Sequence, residues 1–126
     1  MRRSDLLITA LVVVALVVVG WNTSAKAETV TGRLVDLACY STNKELTGNF
    51  HQGRGLICAQ ACAREGFPVG LLTDTKVYQI EGALAADLNA KLVPHMSHTV
   101  TITGDVSEKD GTTVITATDL KMVSAK

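Results

Sequence analysis

An uncharged apolar run near the N-terminus limits what this chain can fold into, because it sets the first residues apart from the rest. The run covers residues 6–20 and follows Arg2 and Arg3. Its length of about 15 residues is short of the roughly 20 that span a bilayer. Residues 25–27, Ala-Lys-Ala, match the small-x-small pattern at which signal peptidase cuts. We therefore predict a cleavable secretory signal at residues 1–27 and a mature domain at residues 28–126.

The predicted signal determines where the mature domain is located, and the charge of that domain limits which partners it can bind. We expect a periplasmic or secreted bacterial protein without stable membrane insertion after cleavage, and an uncleaved N-terminal anchor is the alternative. Loss of residues 1–27 leaves nine basic and eleven acidic residues, a net charge of −2. A mildly acidic domain lacks the basic surface that binds nucleic acid, so no nucleic-acid partner is expected.

Short β-rich segments separated by turns dominate the mature sequence. Alternating and β-branched patterns predict five strands, at residues 30–38, 69–73, 77–80, 99–103 and 112–123. Gly32 in the first strand indicates a bulge or a sharp bend. About 99 residues suffice for one domain with a modest core. The pattern therefore predicts a single small β domain.

Helical patterns are fewer and fall in two places. Leu84, Leu88 and Leu92 recur every four residues and predict a helix over residues 83–93. Residues 56–65 predict a short alanine-containing helix, preceded by a long polar loop over residues 40–55. This order of elements predicts a mainly β fold: a five-stranded OB-like barrel with one framework helix and a short Cys-bearing helix after strand 1.

The residues around this Cys-bearing segment resemble those of a known family. The pattern comprises Val30-Thr31-Gly32, Asp36-x-x-Cys39-Tyr40, His51, Cys58-Ala59-x-x-Cys62 and Gly66-x-Pro68-x-Gly70-Leu71-Leu72. The chain thereby resembles small exported bacterial domains that have an OB-like core and a Cys…His…CxxxC insertion after the first strand, here at residues 39–66. The resemblance implies this fold and an exported location, but it implies no established activity.

The three cysteines and one histidine of the insertion form a candidate metal-binding set. Cys58 and Cys62 are four apart in the predicted helix, so their Cβ atoms lie about 5–6 Å apart on one face. Cys39 and His51 could complete a tetrahedral Cys₃His site. Thiolate and imidazole ligands suit zinc or copper. We therefore predict an exported metal-binding module, with another exported protein as a candidate partner.

Two other interpretations of the cysteines stay open. A disulfide from Cys39 to Cys58 or Cys62 would pin the helix to the first strand, because exported compartments permit disulfides. The domain would then be a disulfide-stabilised ligand- or protein-binding domain with one buried free thiol. Alternatively, Cys58 near a helix N-terminus could act as a reactive thiolate in a thiol-redox protein. The odd cysteine count favours metal, and the compartment favours a disulfide.

Further polar residues have two interpretations each. His95, Met96 and His98 could form a secondary copper site, or they could occupy an exposed loop. Asp36 could orient a metal ligand by accepting a hydrogen bond, or it could face water. The sequence contains no recognisable nucleophile motif, Walker loop or dinucleotide fingerprint, which favours a binding module over an enzyme.

Overall fold

The computed structural model of the protein describes residues 27–45 and 54–125, and this part of the chain is mainly β. The predicted signal peptide, apart from Ala27, and His51 lie outside the described residues. The strands are β1 (Ala27–Asp36), β2 (Val69–Leu72), β3 (Val77–Glu81), β4 (Thr99–Lys109) and β5 (Thr112–Ser124). They close into a ring in the order β1-β2-β3-β5-β4.

Strand pairing in this ring is antiparallel, except that β3 and β5 run parallel. Because β4 runs opposite to β3 and the β4–β5 hairpin reverses the chain once more, β5 runs parallel to β3. That hairpin turns at Asp110 and Gly111, which both have positive φ angles, of 50° and 79°. The structure thus confirms the predicted mainly β, five-stranded OB-like architecture.

Strand β1 is shared between two neighbouring strands. It pairs with β4 from Ala27 to Arg33 and with β2 from Arg33 to Asp36. Gly32 lies at the change of partner, where a Cβ atom would be 2.5 Å from the carbonyl oxygen of Leu72. Any side chain there would push β2 away, so glycine permits the close approach of β1 and β2. The end of β1, with Asp36, pairs with Val69 at the start of β2.

The core is filled from the strands, from one helix and from the connection between β3 and β4. Its fully buried strand residues include Leu34, Leu71, Val100, Ile102 and Ile115. Helix α1 (Leu37–Thr42) and helix α2 (Arg54–Arg64) follow β1. Ala59 and Ala63 of α2 belong to the same core, so this helix packs directly on the strands. The helices of the described residues are all too short or too polar to cross a membrane.

The connection between β3 and β4 differs from the predicted helix over residues 83–93. It contains two 3₁₀ turns, Ala83–Ala85 and Val93–His95, around a short helix α3 (Ala86–Asn89). Asp87, Leu88 and Asn89 have φ angles of 53°, 54° and 58°. This left-handed conformation costs an L-residue roughly 1–2 kcal/mol. The prediction of a continuous helix was therefore wrong.

A hydrogen-bonding requirement explains the broken helix. The side chain of Asn89 is buried, and its Nδ2 donates to the carbonyl oxygens of Ala63, at 2.9 Å, and Phe67, at 3.0 Å. These carbonyls lie at the end of α2 and just beyond it. Leu88 is 62% exposed instead of joining the apolar stripe. The left-handed residues thus turn an amide inward, where it satisfies two main-chain acceptors.

Candidate metal centre

Two helices bring the three cysteines to one place. Cys39 lies in α1, and Cys58 and Cys62 lie one turn apart in α2. The three Sγ atoms all lie within 4.8 Å of one another, and the three residues are free thiols. We call these three residues the cysteine cluster. The structure thereby confirms that the three sulfurs predicted from the sequence converge.

Helix α1 was not predicted, and it changes the placement of Cys39. The sequence predicted that β1 continued to residue 38, but the strand ends at Asp36. Asp36 Oδ1 accepts a hydrogen bond of 3.1 Å from the backbone N–H of Ala38 and so caps the helix N-terminus. Aspartate is among the preferred residues at this position. Cys39 is consequently a helical residue, in the first turn after the cap.

The position of α1 is fixed by contacts with β2 and the residue before it. The backbone N–H of Leu37 donates to the carbonyl oxygen of Pro68, at 3.1 Å. The Leu37 side chain packs against Gly70, where an added Cβ atom would collide with it. Gly70 therefore lets α1 lie close to the strand.

Helix α2 ends in a Schellman motif. Phe67 N–H donates to the carbonyl of Cys62 at 3.2 Å, and Gly66 N–H donates to that of Ala63 at 3.0 Å. Gly66 has a φ of 88°, as this motif requires at the residue after the cap. Ala59 and Ala63 face the core, while Cys58 and Cys62, each one residue earlier, lie on the adjacent side of the helix. The register of α2 is therefore set independently of its cysteines.

The cluster has a buried side and an exposed side. Cys39 and Cys62 are half-buried, whereas Cys58 is exposed. Asp36 is only 3% exposed. Its Oδ2 atom is buried and has no well-aligned hydrogen-bond donor among the described residues. The water-facing interpretation of Asp36 was therefore wrong.

The carboxylate of Asp36 acts on both half-buried thiols. Interaction of the Cys39 thiol with this carboxylate, followed by burial, raises the pKa of Cys39 to about 12. Burial, followed by the charge of Asp36, raises the pKa of Cys62 to about 11. Both causes disfavour a thiolate. At neutral pH these two cysteines are therefore protonated when no cation is present.

The cluster fits the requirements of a thiophilic ion. Sulfur ligands at about 2.3 Å from a tetrahedral zinc ion lie about 3.8 Å from one another. The observed spacing, up to 4.8 Å, therefore needs a contraction of about 1 Å, which is within the range of side-chain rotation. A bound cation would also offset the charge of the buried Asp36 carboxylate.

The remaining predicted ligands have different outcomes. His51 lies outside the described residues, so its role as the fourth ligand stays a prediction. Met96 is fully buried in the core cluster. His95 and His98 are half-buried, with ring centroids 5.9 Å apart and Nδ1 atoms that have no hydrogen-bond partner among the described residues. The exposed-loop interpretation of residues 95–98 was therefore wrong, and a secondary copper site there stays a prediction.

Comparisons with known proteins add no relative for this site. The sequence matches no protein-family model, no curated protein and no solved structure among those with which it was compared. What bears on function is therefore the chemistry of the chain itself: three convergent cysteines that could hold a metal ion beside a buried carboxylate.

Proposed function

We propose that the protein is an exported metal-binding module that holds one thiophilic ion, Zn²⁺ or Cu⁺, at Cys39, Cys58 and Cys62. The observation that carries this proposal is the convergence of three free thiols, from two separate helices, within 4.8 Å. Three thiols of one chain cannot all pair with one another as disulfides, whereas one soft metal ion uses all three.

The ligand set limits the ion to a few candidates. Thiolates favour Cu⁺ and Zn²⁺ over the hard ions Mg²⁺ and Ca²⁺, which bind oxygen ligands. Zinc takes four ligands, which leaves one position for His51 or for a water molecule. We propose His51 for this position on the basis of the sequence.

Asp36 acts as a positioning residue in this proposal. Its Oδ1 atom caps the helix that carries Cys39, and its carboxylate interacts with the thiols of Cys39 and Cys62. The carboxylate therefore orients the thiols before an ion arrives. When the ion displaces their protons, its positive charge is stabilised by the same carboxylate.

Elemental analysis of the purified protein tests the proposal directly. We expect one zinc or copper ion per chain, and three thiols that titrate only after a chelator is added. Cys62→Ser should abolish metal retention because it removes a ligand. Ala61→Ser is the matched control, since it places the same side chain at the exposed neighbouring position of α2 and should retain the ion. Unchanged metal content in Cys62→Ser would reject the ligand assignment.

The same thiol count separates the metal proposal from the disulfide alternative. The spacing of the sulfurs also permits Cys39 to approach either cysteine of α2, which is the observation in favour of a disulfide. One free thiol, with or without chelator, would indicate a disulfide-stabilised binding domain. A count that falls with mild oxidant and recovers with reductant would indicate a thiol-redox protein.

A further inference from the structure

We infer that the ion at the cysteine cluster is an exchangeable cargo, which passes to an incoming ligand on the Cys58 side, and is not a structural ion that the fold requires. This inference rests on the proposed function and adds to it what the site does with its ion. The contacts that hold the two helices in place and the unequal exposure of the three sulfurs support it.

Protein groups alone hold both cysteine-bearing helices in place. Helix α1 is capped by Asp36 at one end, tied to the carbonyl oxygen of Pro68, and packed on Gly70 through Leu37. At its other end, Asn43 N–H donates to the carbonyl of Cys39 at 3.0 Å. None of these contacts uses a thiol side chain. The arrangement of α1 therefore does not depend on a bound ion.

Helix α2 is anchored in the same way. Ala59 and Ala63 are buried in the core, and the helix end is closed by the Schellman motif and by the two hydrogen bonds from Asn89. Structural zinc sites differ, because there the ion supplies the folding free energy that a small segment lacks. Here the described ligands are already gathered by a hydrophobic and hydrogen-bonded framework.

The sulfurs are unequally accessible to an incoming ligand. Cys39 and Cys62 are half-buried beside Asp36, and Cys58 is exposed. A soft donor from solvent, a thiolate or an imidazole, can therefore approach the ion from the Cys58 side first. The new metal–donor bond forms as the metal–Sγ bond of Cys58 breaks. The Cys58 thiolate then takes a proton from solvent, and no electron is transferred.

The chemistry of the receiving group follows from this step. The acceptor must bear thiolate or imidazole ligands, because only such donors compete with cysteine for a thiophilic ion. A second exported protein with such a site exposed on its surface meets this requirement. During such a transfer the ion is bound by ligands of both proteins at once, so it is not released into water.

Transfer of zinc to a chromogenic chelator tests the inference on the full chain loaded with zinc alone. We expect the rate to rise in proportion to chelator concentration, because the chelator attacks the bound ion. Ala61→Phe adds a ring one turn from Cys58 on the exposed surface of α2 and should slow transfer severalfold. Ala86→Phe, at an exposed position of α3, is the matched control and should leave the rate unchanged.

Circular dichroism of the zinc-free chain provides the second readout. We expect the zinc-free protein to keep its spectrum and a single cooperative melting transition. Loss of structure without zinc, or a transfer rate independent of chelator concentration, would overturn the inference while leaving the proposed function in place. A chain that binds no zinc or copper at all would overturn both.

Discussion

At the scale of single residues, Asp36 connects the fold to the chemistry of the cluster. One carboxylate oxygen begins α1, and the other lies buried without an aligned donor. A carboxylate in this position is costly unless a proton or a cation compensates it. The protonated thiols of Cys39 and Cys62 provide partial compensation, and a metal ion would provide more. Asp36 therefore links protonation, metal binding and stability.

Alkaline pH should destabilise the metal-free protein. The thiols of Cys39 and Cys62 have an ordinary pKa of 9.0, whereas in the folded protein the pKa values are about 12 and about 11. The folded state therefore holds more protons above pH 9, and the free energy of unfolding falls from there until the pH passes those raised values. Urea unfolding at about pH 8 and about pH 10 measures this difference.

Asp36→Asn is the variant that identifies the cause. Asparagine keeps a side-chain oxygen that caps α1, and it removes the negative charge. The pKa of both thiols should fall, so that they react with an alkylating reagent at lower pH and the alkaline loss of stability becomes smaller. An unchanged pH profile of alkylation would show that Asp36 does not act on the thiols.

His51→Ala tests the predicted fourth ligand. We expect the variant to retain the three thiol ligands and to bind zinc more weakly. Loss of a residue that only hydrogen-bonds to a metal ligand lowers metal affinity about 10–100-fold, so loss of a direct ligand should lower it by at least as much. Competition with a chelator of known affinity measures the change. Lys121→Ala is the control, because Lys121 is an exposed residue of β5, outside every candidate metal site. Equal affinity of the two variants would leave the fourth position to water.

At the scale of elements, the buried Asn89 secures the end of α2. Asn89→Ala would leave the carbonyl oxygens of Ala63 and Phe67 without their side-chain donor. We expect a loss of about 1–3 kcal/mol in the free energy of unfolding, because two hydrogen bonds are lost and each contributes about 0.5–1.5 kcal/mol. Denaturant unfolding measures it.

Asn43→Ala is the matched control for this variant. Asn43 is exposed, and its Oδ1 accepts a hydrogen bond from the backbone N–H of Glu45 at 3.0 Å. Water can replace that bond, so its loss should cost much less. Equal losses in the two variants would contradict the role that we assign to Asn89.

Local sequence patterns correctly predicted the elements whose structure depends on residues close together in the sequence. The alternation of Val100 and Ile102 with threonines and the Asp110-Gly111 turn both predicted what the structure contains. The four-residue spacing of Cys58 and Cys62 placed two sulfurs on one side of a helix. The sequence is sufficient to predict these elements, because hydrophobic periodicity and turn residues are properties of short segments.

Tertiary hydrogen bonds decided the elements for which prediction failed. The leucine stripe of residues 84–92 predicts a helix, but Asn89 turns inward to reach carbonyl oxygens that lie 22 and 26 residues earlier in the chain. Asp36 was ambiguous for the same reason, since it is buried where the end of β1 pairs with β2, a strand that follows much later in the chain. Its place before a helical turn was the available signal, because aspartate is a preferred cap.

At the scale of the whole molecule, the core and the cluster are supported separately. Apolar side chains from the strands, from α2 and from the β3–β4 connection fill the core without the thiols, and the cysteines lie at the border between core and solvent. A metal ion should therefore stabilise the folded protein only through its binding free energy, which depends on the free metal concentration. At free zinc of 100 times Kd we expect a gain of about 2.7 kcal/mol. Thermal melts across a zinc titration check this, and a stabilisation that does not vary with zinc concentration would contradict it.

The base of the Cys-bearing segment is closed by the last β1–β2 pair, Asp36 with Val69, and by the bond from Leu37 to Pro68. Chain length between those points can consequently change without shifting the register of the sheet. Loop entropy grows slowly, at about 0.6 kcal/mol for each doubling of loop length. A reporter or an affinity tag inserted between α1 and α2 should thus leave the strand register unchanged, whatever its effect on the position of His51.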